Sequence, residues 1–114
     1  MALEKDVLVR EILGRIADKW TLVIIDELDG HTLRFSELQR KIGKISQKML
    51  TQTLREMEKD GLVERTVYPE VPPRVEYELT KIGQSLGEAV CSIWKWAERH
   101  YKEVEKSRAR ITRG

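Results

Sequence analysis

The spacing of apolar residues changes twice along this chain, from helical to alternating and back to helical. Val7, Leu8, Ile12 and Ile16 fall near one face of a helix over residues 4–17, whose end Gly14 and Asp18 weaken. Trp20, Val23, Ile24 and Leu28 mark a second, more apolar helix, stopped by Asp29-Gly30. Leu33 and Arg34 suit a very short strand before Phe35. Ser36 is a candidate N-cap for a third helix, which carries Leu38 and stops near Ile42-Gly43. Ser46 is a candidate N-cap for a fourth helix running to about Asp60, with Gly61 placed to end it.

The period then falls to two. Leu62 to Tyr68 is rich in β-formers, and Val75, Tyr77 and Leu79 alternate with Arg74, Glu76 and Glu78. Between these runs Pro69-Glu-Val-Pro-Pro73 cannot be helical and suits a stiff loop, so the unit is predicted to be a β-hairpin with an extended tip. Thr80 is placed to cap a final helix on which Ile82, Leu86, Val90, Ile93, Trp94, Ala97, Tyr101 and Val104 keep helical spacing. Helix, helix, short strand, helix, helix, hairpin, long helix is the order of a winged helix-turn-helix, a mainly α (α+β) fold with one small hairpin. We expect a single domain over residues 1–114, with the helix-turn-helix at about 35–60, the wing at about 62–79 and the C-terminal helix at about 80–107.

A length of 114 residues fits one compact domain. The single cysteine, Cys91, excludes an intramolecular disulfide and a cysteine-rich zinc site, in keeping with a reducing cytoplasm. Charges at Glu4, Lys5 and Asp6 stand where a signal peptide needs an apolar stretch, and no apolar run approaches membrane-spanning length. The expectation is a soluble cytoplasmic protein with no membrane partner.

Net charge, +2 overall, becomes informative once divided along the chain. Between Arg34 and Arg55 stand six basic residues (Arg34, Arg40, Lys41, Lys44, Lys48, Arg55) and one acid, Glu37, so this segment carries +5 and the other 92 residues −3. Such a segment suits a polyanion. A smaller basic cluster, Lys106, Arg108, Arg110 and Arg113, ends the chain and reads as a frayed, solvated terminus.

On a helical wheel Leu50, Leu54 and Met57 form the buried stripe of the fourth helix. Lys48, Gln52, Arg55 and Lys59 lie opposite, Gln47 and Thr51 flank them near the helix start, and the first acid expected on this stretch is Glu58, which with Asp60 faces away. This is either the solvated side of an ordinary helix or a surface that enters the major groove of DNA. The mixture of amides and cations at the second helix of the helix-turn-helix favours the groove. Gln and Arg can bond base edges in pairs, and Thr can reach a base or a phosphate. Ser46 and the free N–H groups at the helix start can hold a phosphate. Arg34, Lys44 and Arg74 are further phosphate candidates, although Arg74 could instead pair with Glu64 or Glu76.

At this point the chain resembles the HxlR-type winged-helix regulators of bacteria and archaea. The resemblance rests on Asp18-Lys-Trp20, Arg34-Phe-Ser-Glu-Leu38, Ile45-Ser-Gln-Lys-Met-Leu-Thr51, Leu54-Arg-Glu-Met-Glu-Lys-Asp-Gly-Leu-Val63, Tyr68-Pro-Glu-Val-Pro-Pro-Arg-Val-Glu-Tyr77 and Leu79-Thr80, spanning roughly residues 7–97. It implies a cytoplasmic homodimer joined through its N- and C-terminal helices, with Ser46–Arg55 in the major groove and Tyr68–Arg74 beside it. Many such regulators sense oxidants or electrophiles through a cysteine in the first helix. Here the matching position is Val7, which has no thiol chemistry.

The remaining candidates are structural on their spacing alone. Trp94, Trp96 and Tyr101 suit a subunit interface or an effector pocket, and the expected interface is Val7, Leu8, Leu86, Val90, Ile93, Trp94, Ala97 and Tyr101. Cys91, beside the apolar stripe, reads as a small packed hydrophobe. His31 and His100 have no ligand partners at metal spacing, and neither Ser36 nor Ser46 sits in a nucleophile elbow, so no metal, cofactor or catalytic residue is expected. The partners expected are double-stranded DNA and a second copy of the chain, with any effector unidentified. A winged-helix protein-interaction module and a nonspecific architectural DNA protein are the alternatives.

Overall fold

The computed structural model describes residues 2–113, with side chains from Glu4 to Thr112. It contains α1 (Ala2–Ile16), α2 (Lys19–Leu28), β1 (Leu33–Arg34), α3 (Phe35–Ile42), α4 (Gln47–Lys59), β2 (Val63–Tyr68), β3 (Arg74–Leu79) and α5 (Lys81–Arg113). The three strands form one antiparallel sheet in the order β1-β3-β2. Val63 pairs with Leu79 at the root of the hairpin and Tyr68 with Arg74 near its tip, while Leu33 and Arg34 pair with Tyr77 and Glu76. This is the expected winged helix, with the short strand giving the hairpin a third partner.

Local chemistry explains the element ends, twice differently from the sequence reading. Asp18, expected only to weaken α1, is the N-cap of α2: its Oδ1 accepts from the N–H groups of Trp20 (2.8 Å) and Thr21 (3.3 Å). The third helix starts before Ser36, because the Arg34 N–H donates to Glu37 Oε1 at 2.9 Å and so Arg34 holds the cap position. Ser46 caps α4 as expected, its Oγ accepting from Met49 N–H at 3.1 Å. At the other end of α4, Leu62 N–H donates to Met57 C=O and Gly61 N–H to Glu58 C=O, a Schellman arrangement that needs the positive φ of Gly61 (75°).

Among the described residues one apolar core joins every element except α1. It comprises Ile24, Ile25 and Leu28 of α2, Leu33 of β1, Leu38 of α3, Ile45 of the turn, Leu50, Leu54 and Met57 of α4, Val63, Leu79, and Val90 of α5. Val90, expected at a subunit interface, is only 7% exposed and packs within its own chain, and Leu86 is half-buried against the same core. The first turns of α5 lie on α2 and the hairpin root, so Leu86 and Val90 are consumed locally, while Ile82 stays 60% exposed. Thr80 fixes that root: its hydroxyl donates to Gly61 C=O and accepts from Gly83 N–H at 3.1 Å.

Beyond Val90 the long helix leaves the body. A helix of 33 residues is about 50 Å long, and the radius of gyration is 17.1 Å against about 13 Å for a compact chain of this length. Helical structure continues to Arg113, so the basic end carrying Lys106, Arg108 and Arg110 is an ordered helix and not a frayed tail; the Arg113 side chain lies outside the described residues. No glycine or proline interrupts residues 88–113, which explains why α5 runs past the expected end. No helix among the described residues is long and apolar enough to cross a membrane.

Two glycines of α5 separate packing from helix propensity. A Cβ at Gly83 would collide with the Leu62 carbonyl, a backbone group that cannot swing aside, whereas one at Gly87 would rest 3.6 Å from Ile25 Cγ2. Gly83→Ala is expected to destabilise by about 1–3 kcal/mol and Gly87→Ala to stabilise by about 0.5–1 kcal/mol, both read from urea denaturation. Tyr77 gives a second test: burial pushes its hydroxyl pKa up, against the pull of Arg65. Below the ordinary tyrosine value of about 10 the phenol is neutral in both states and its contribution is complete. Above it the unfolded chain ionises first, so stability falls as pH rises through the folded value. Tyr77→Phe should flatten that alkaline decline in denaturation curves taken at about pH 9 and about pH 11.

Candidate nucleic-acid interface

The turn between α3 and α4 is built from Gly43-Lys44-Ile45-Ser46. Gly43 takes φ 86°, outside the range L side chains favour, and its N–H donates to Gln39 C=O at 2.9 Å. Ile45 is buried and Ile42 packs against the core, pinning the two helices as expected. Gln39 Nε2 reaches Ile45 C=O at 3.4 Å, closing the turn from its other side. Lys44 is exposed at the crest of the turn.

Burial of Leu50, Leu54 and Met57 fixes which side of α4 faces outward, and Thr53 joins them by donating its hydroxyl to Met49 C=O at 2.9 Å. Gln47, Lys48, Thr51, Gln52 and Arg55 therefore come together, lining one shallow concave surface. No acid stands in the first turn of α4. Met49 N–H is taken by Ser46, which leaves the N–H groups of Gln47 and Lys48 as free donors at the positive end of the helix dipole. The surface thus offers amide, hydroxyl, guanidinium, ammonium and peptide donors side by side, a set suited to base edges and phosphates.

One residue of this surface escaped the sequence reading. Glu56 lines the same hollow, so the first acid on the face comes before Glu58. It is not a free charge, because Arg15 from α1 holds it at 3.3 Å and also holds Asp60 at 2.6 Å. Two acids one turn apart on a helix repel each other modestly, so the spacing in Glu56-Met-Glu-Lys-Asp60 was the available signal that a nearby cation is favoured there.

The wing departs from expectation in its electrostatics. Arg34 and Arg74 do line one hollow, between the start of α3 and the hairpin tip. Yet the Arg74 guanidinium is already engaged: it lies 3.3 Å from Glu70 and 3.6 Å from Glu76, and stacks 4.0 Å over the Tyr68 ring. The pair with Glu76 forms along the same strand, and Glu64 takes no part. From Val63 to Leu79 four glutamates outnumber two arginines, so the wing is acidic, and its tip presents the fully exposed Val71.

The residues expected at a subunit interface divide into two groups. Val7, Leu8, Ile93, Trp94, Ala97 and Tyr101 are exposed, with Trp94 60% accessible, whereas Leu86 and Val90 serve the chain's own core. Val9, Leu13, Trp96 and Val104 add to the exposed apolar surface of the two projecting helices, and Trp96 stacks on His100 at 5.0 Å. Cys91 is exposed on α5, contrary to its reading as a packed hydrophobe, because the buried side of the helix at this level is already filled by Val90. Among the described residues no group of His, Cys, Asp and Glu is arranged to hold a metal.

A winged helix with this outward face on α4, the second helix of its helix-turn-helix, belongs with the transcriptional regulators of the helix-turn-helix type. The HxlR-like helix-turn-helix family model matches residues 15–105, and the chain belongs to that family. It is 44% identical over 95 residues to the uncharacterized HTH-type transcriptional regulator YtfH of Escherichia coli (strain K12), covering 83% of this chain and 75% of YtfH. The solved structure of ytfH from Salmonella typhimurium superposes with a TM-score of 0.81 at 40% identity, over 89% of this chain and 90% of that one. The redox regulator HypR in its reduced form superposes with a TM-score of 0.80 at 39% identity, over 86% and 97%.

The pairing of Arg74 generates a direct comparison. Arg74→Gln should weaken DNA binding by less than about 1 kcal/mol, since its charge is largely compensated. Arg55→Ala should cost about 1–3 kcal/mol on the cognate duplex if it reads a guanine. Fluorescence anisotropy with the same labelled duplex measures both, and the reverse order would return the wing to the main contact.

Proposed function

We propose that the protein is a sequence-specific DNA-binding regulator that acts in the cytoplasm as a homodimer on a paired or palindromic site. The observation that carries this reading is the convergence of Gln47, Lys48, Thr51, Gln52 and Arg55 on one exposed face of α4, behind a capped N-terminus. On this reading these side chains make the base and phosphate contacts. Ser46, Arg34 and Lys44 hold phosphates, and Arg74 contributes less because glutamates already neutralise it.

Dimerisation is supported by the apolar surface of α1 and the second half of α5, which a body of this size cannot cover. Val7, Leu8, Ile93, Trp94, Ala97 and Tyr101 are the contacts we assign to it. A two-fold dimer would present two α4 helices to half-sites about one turn of DNA apart, or a multiple of that. HypR is named a redox regulator. In this chain the first helix carries Val7 and no cysteine, so a thiol switch there is absent from the proposal.

Competition between the protein's own upstream DNA and random duplex of equal length, at several salt concentrations, tests the reading. A complex that survives near-physiological salt and protects two related half-sites is expected. Equal affinity for both duplexes, collapsing with salt, would instead indicate a nonspecific DNA protein. Trp94→Glu should yield monomers in sedimentation, since a carboxylate cannot be desolvated against a partner's apolar helix at tolerable cost; a persisting dimer would remove Trp94 from the interface.

A further inference from the structure

The bridge from Arg15 to α4 is more than a surface ion pair, because of where its three members stand. Arg15 occupies the last turn of α1, and the carboxylates it holds are Glu56, on the last turn of α4, and Asp60, the C-cap of that helix. Both acids sit at the negative end of the α4 dipole and face one another across a single turn, so without a cation that end of the helix is strained electrostatically. One planar guanidinium answers both, through Nη1 to Glu56 Oε2 and Nε to Asp60 Oδ2. The three side chains are between 31% and 46% exposed, so the fork matters through its geometry more than through Coulomb strength. Among the described residues α1 places nothing in the apolar core, so this fork and a limited packing on α2 are what attach it to the body.

We propose that Arg15 is a positioning residue: it latches α1 to the DNA-reading helix, so that α1, held against a partner subunit, sets the angle at which α4 is presented. This rests on the function proposed above, with α1 at the dimer interface. Arg15 touches no base or phosphate itself. It acts through α4, and at the same time it masks Glu56, which lines the same hollow as Lys48 and Arg55 and would otherwise turn a bare carboxylate toward an anionic ligand. The two consequences, angle and charge, are separable by experiment.

The full-length protein is compared with Arg15→Ala, Arg15→Lys and the triple variant Arg15→Ala/Glu56→Gln/Asp60→Asn. Hydrogen exchange without DNA is expected to accelerate in α1 and at the end of α4 in Arg15→Ala and in the triple, and less in Arg15→Lys, whose single ammonium cannot fork. On a duplex carrying both half-sites Arg15→Ala should lose roughly tenfold in affinity, a coupling of ordinary size, and lose less on a single half-site. The triple variant, which removes the exposed acids as well as the latch, should stay weak on the paired duplex. Recovery of wild-type affinity by the triple would reduce Arg15 to a charge mask, and unchanged exchange in Arg15→Ala would overturn the latch outright. The wild-type control keeps the two ideas apart. A wild type that does not prefer its own upstream DNA to random duplex sinks the function proposed above, while the exchange data still decide whether Arg15 holds α1 to α4.

Discussion

Everything on the outer face of α4 depends on what happens on its inner face. Leu50, Leu54 and Met57 are buried where α4 packs on α2 and β2, and because side chains on a helix are locked in rotation relative to one another, their burial dictates that Gln47, Lys48, Thr51, Gln52 and Arg55 point outward together. The cap at Ser46 and the Schellman closure through Gly61 and Leu62 then set where that helix starts and stops. The apolar core does not merely stabilise the fold; it aims the polar face. A substitution that rotated α4 by one residue would swing the five side chains together by about 100°, off the outward face, with their chemistry intact.

Most of this was legible from residue spacing, because the signals were local. Helical periods, the caps at Ser46 and Thr80, the glycine at position 43 and the alternation of Val75, Tyr77 and Leu79 each depend on residues a few positions apart. What escaped depends on distant neighbours. Asp18 is the exception: its partners Trp20 and Thr21 are two and three residues on, and a local N-cap was simply read as a helix end. The partners of Arg15 lie on another helix. Val90 and Trp94 share the same periodic stripe, yet one meets the body and the other projects past it, a distinction set by how far the body extends and not by the pattern. Glu56 was hidden by the basic surroundings in which it stands, since charge counted over a segment says little about which residues share a surface.

The candidate site was legible in composition and less so in electrostatic state. Arginines at positions 34, 55 and 74 look equivalent as letters. In the folded chain Arg74 is enclosed by Glu70, Glu76 and the Tyr68 ring, while Arg34 and Arg55 make no ion pair among the described residues. Membership of the HxlR-like family supports the same assignment of the helix-turn-helix without determining which cations are free.

The acidic wing has a consequence for how such a protein would travel along a chromosome. A regulator spends most of its time on the wrong sequence, held there by attraction to phosphates that every stretch of duplex shares. A hairpin in which glutamates outnumber arginines subtracts from that shared attraction at every position alike. On the function proposed above it would shorten every stay on DNA, cognate or random, by the same factor. A flanking loop that repels therefore sets how quickly any duplex is released, while discrimination stays with the residues that meet base edges.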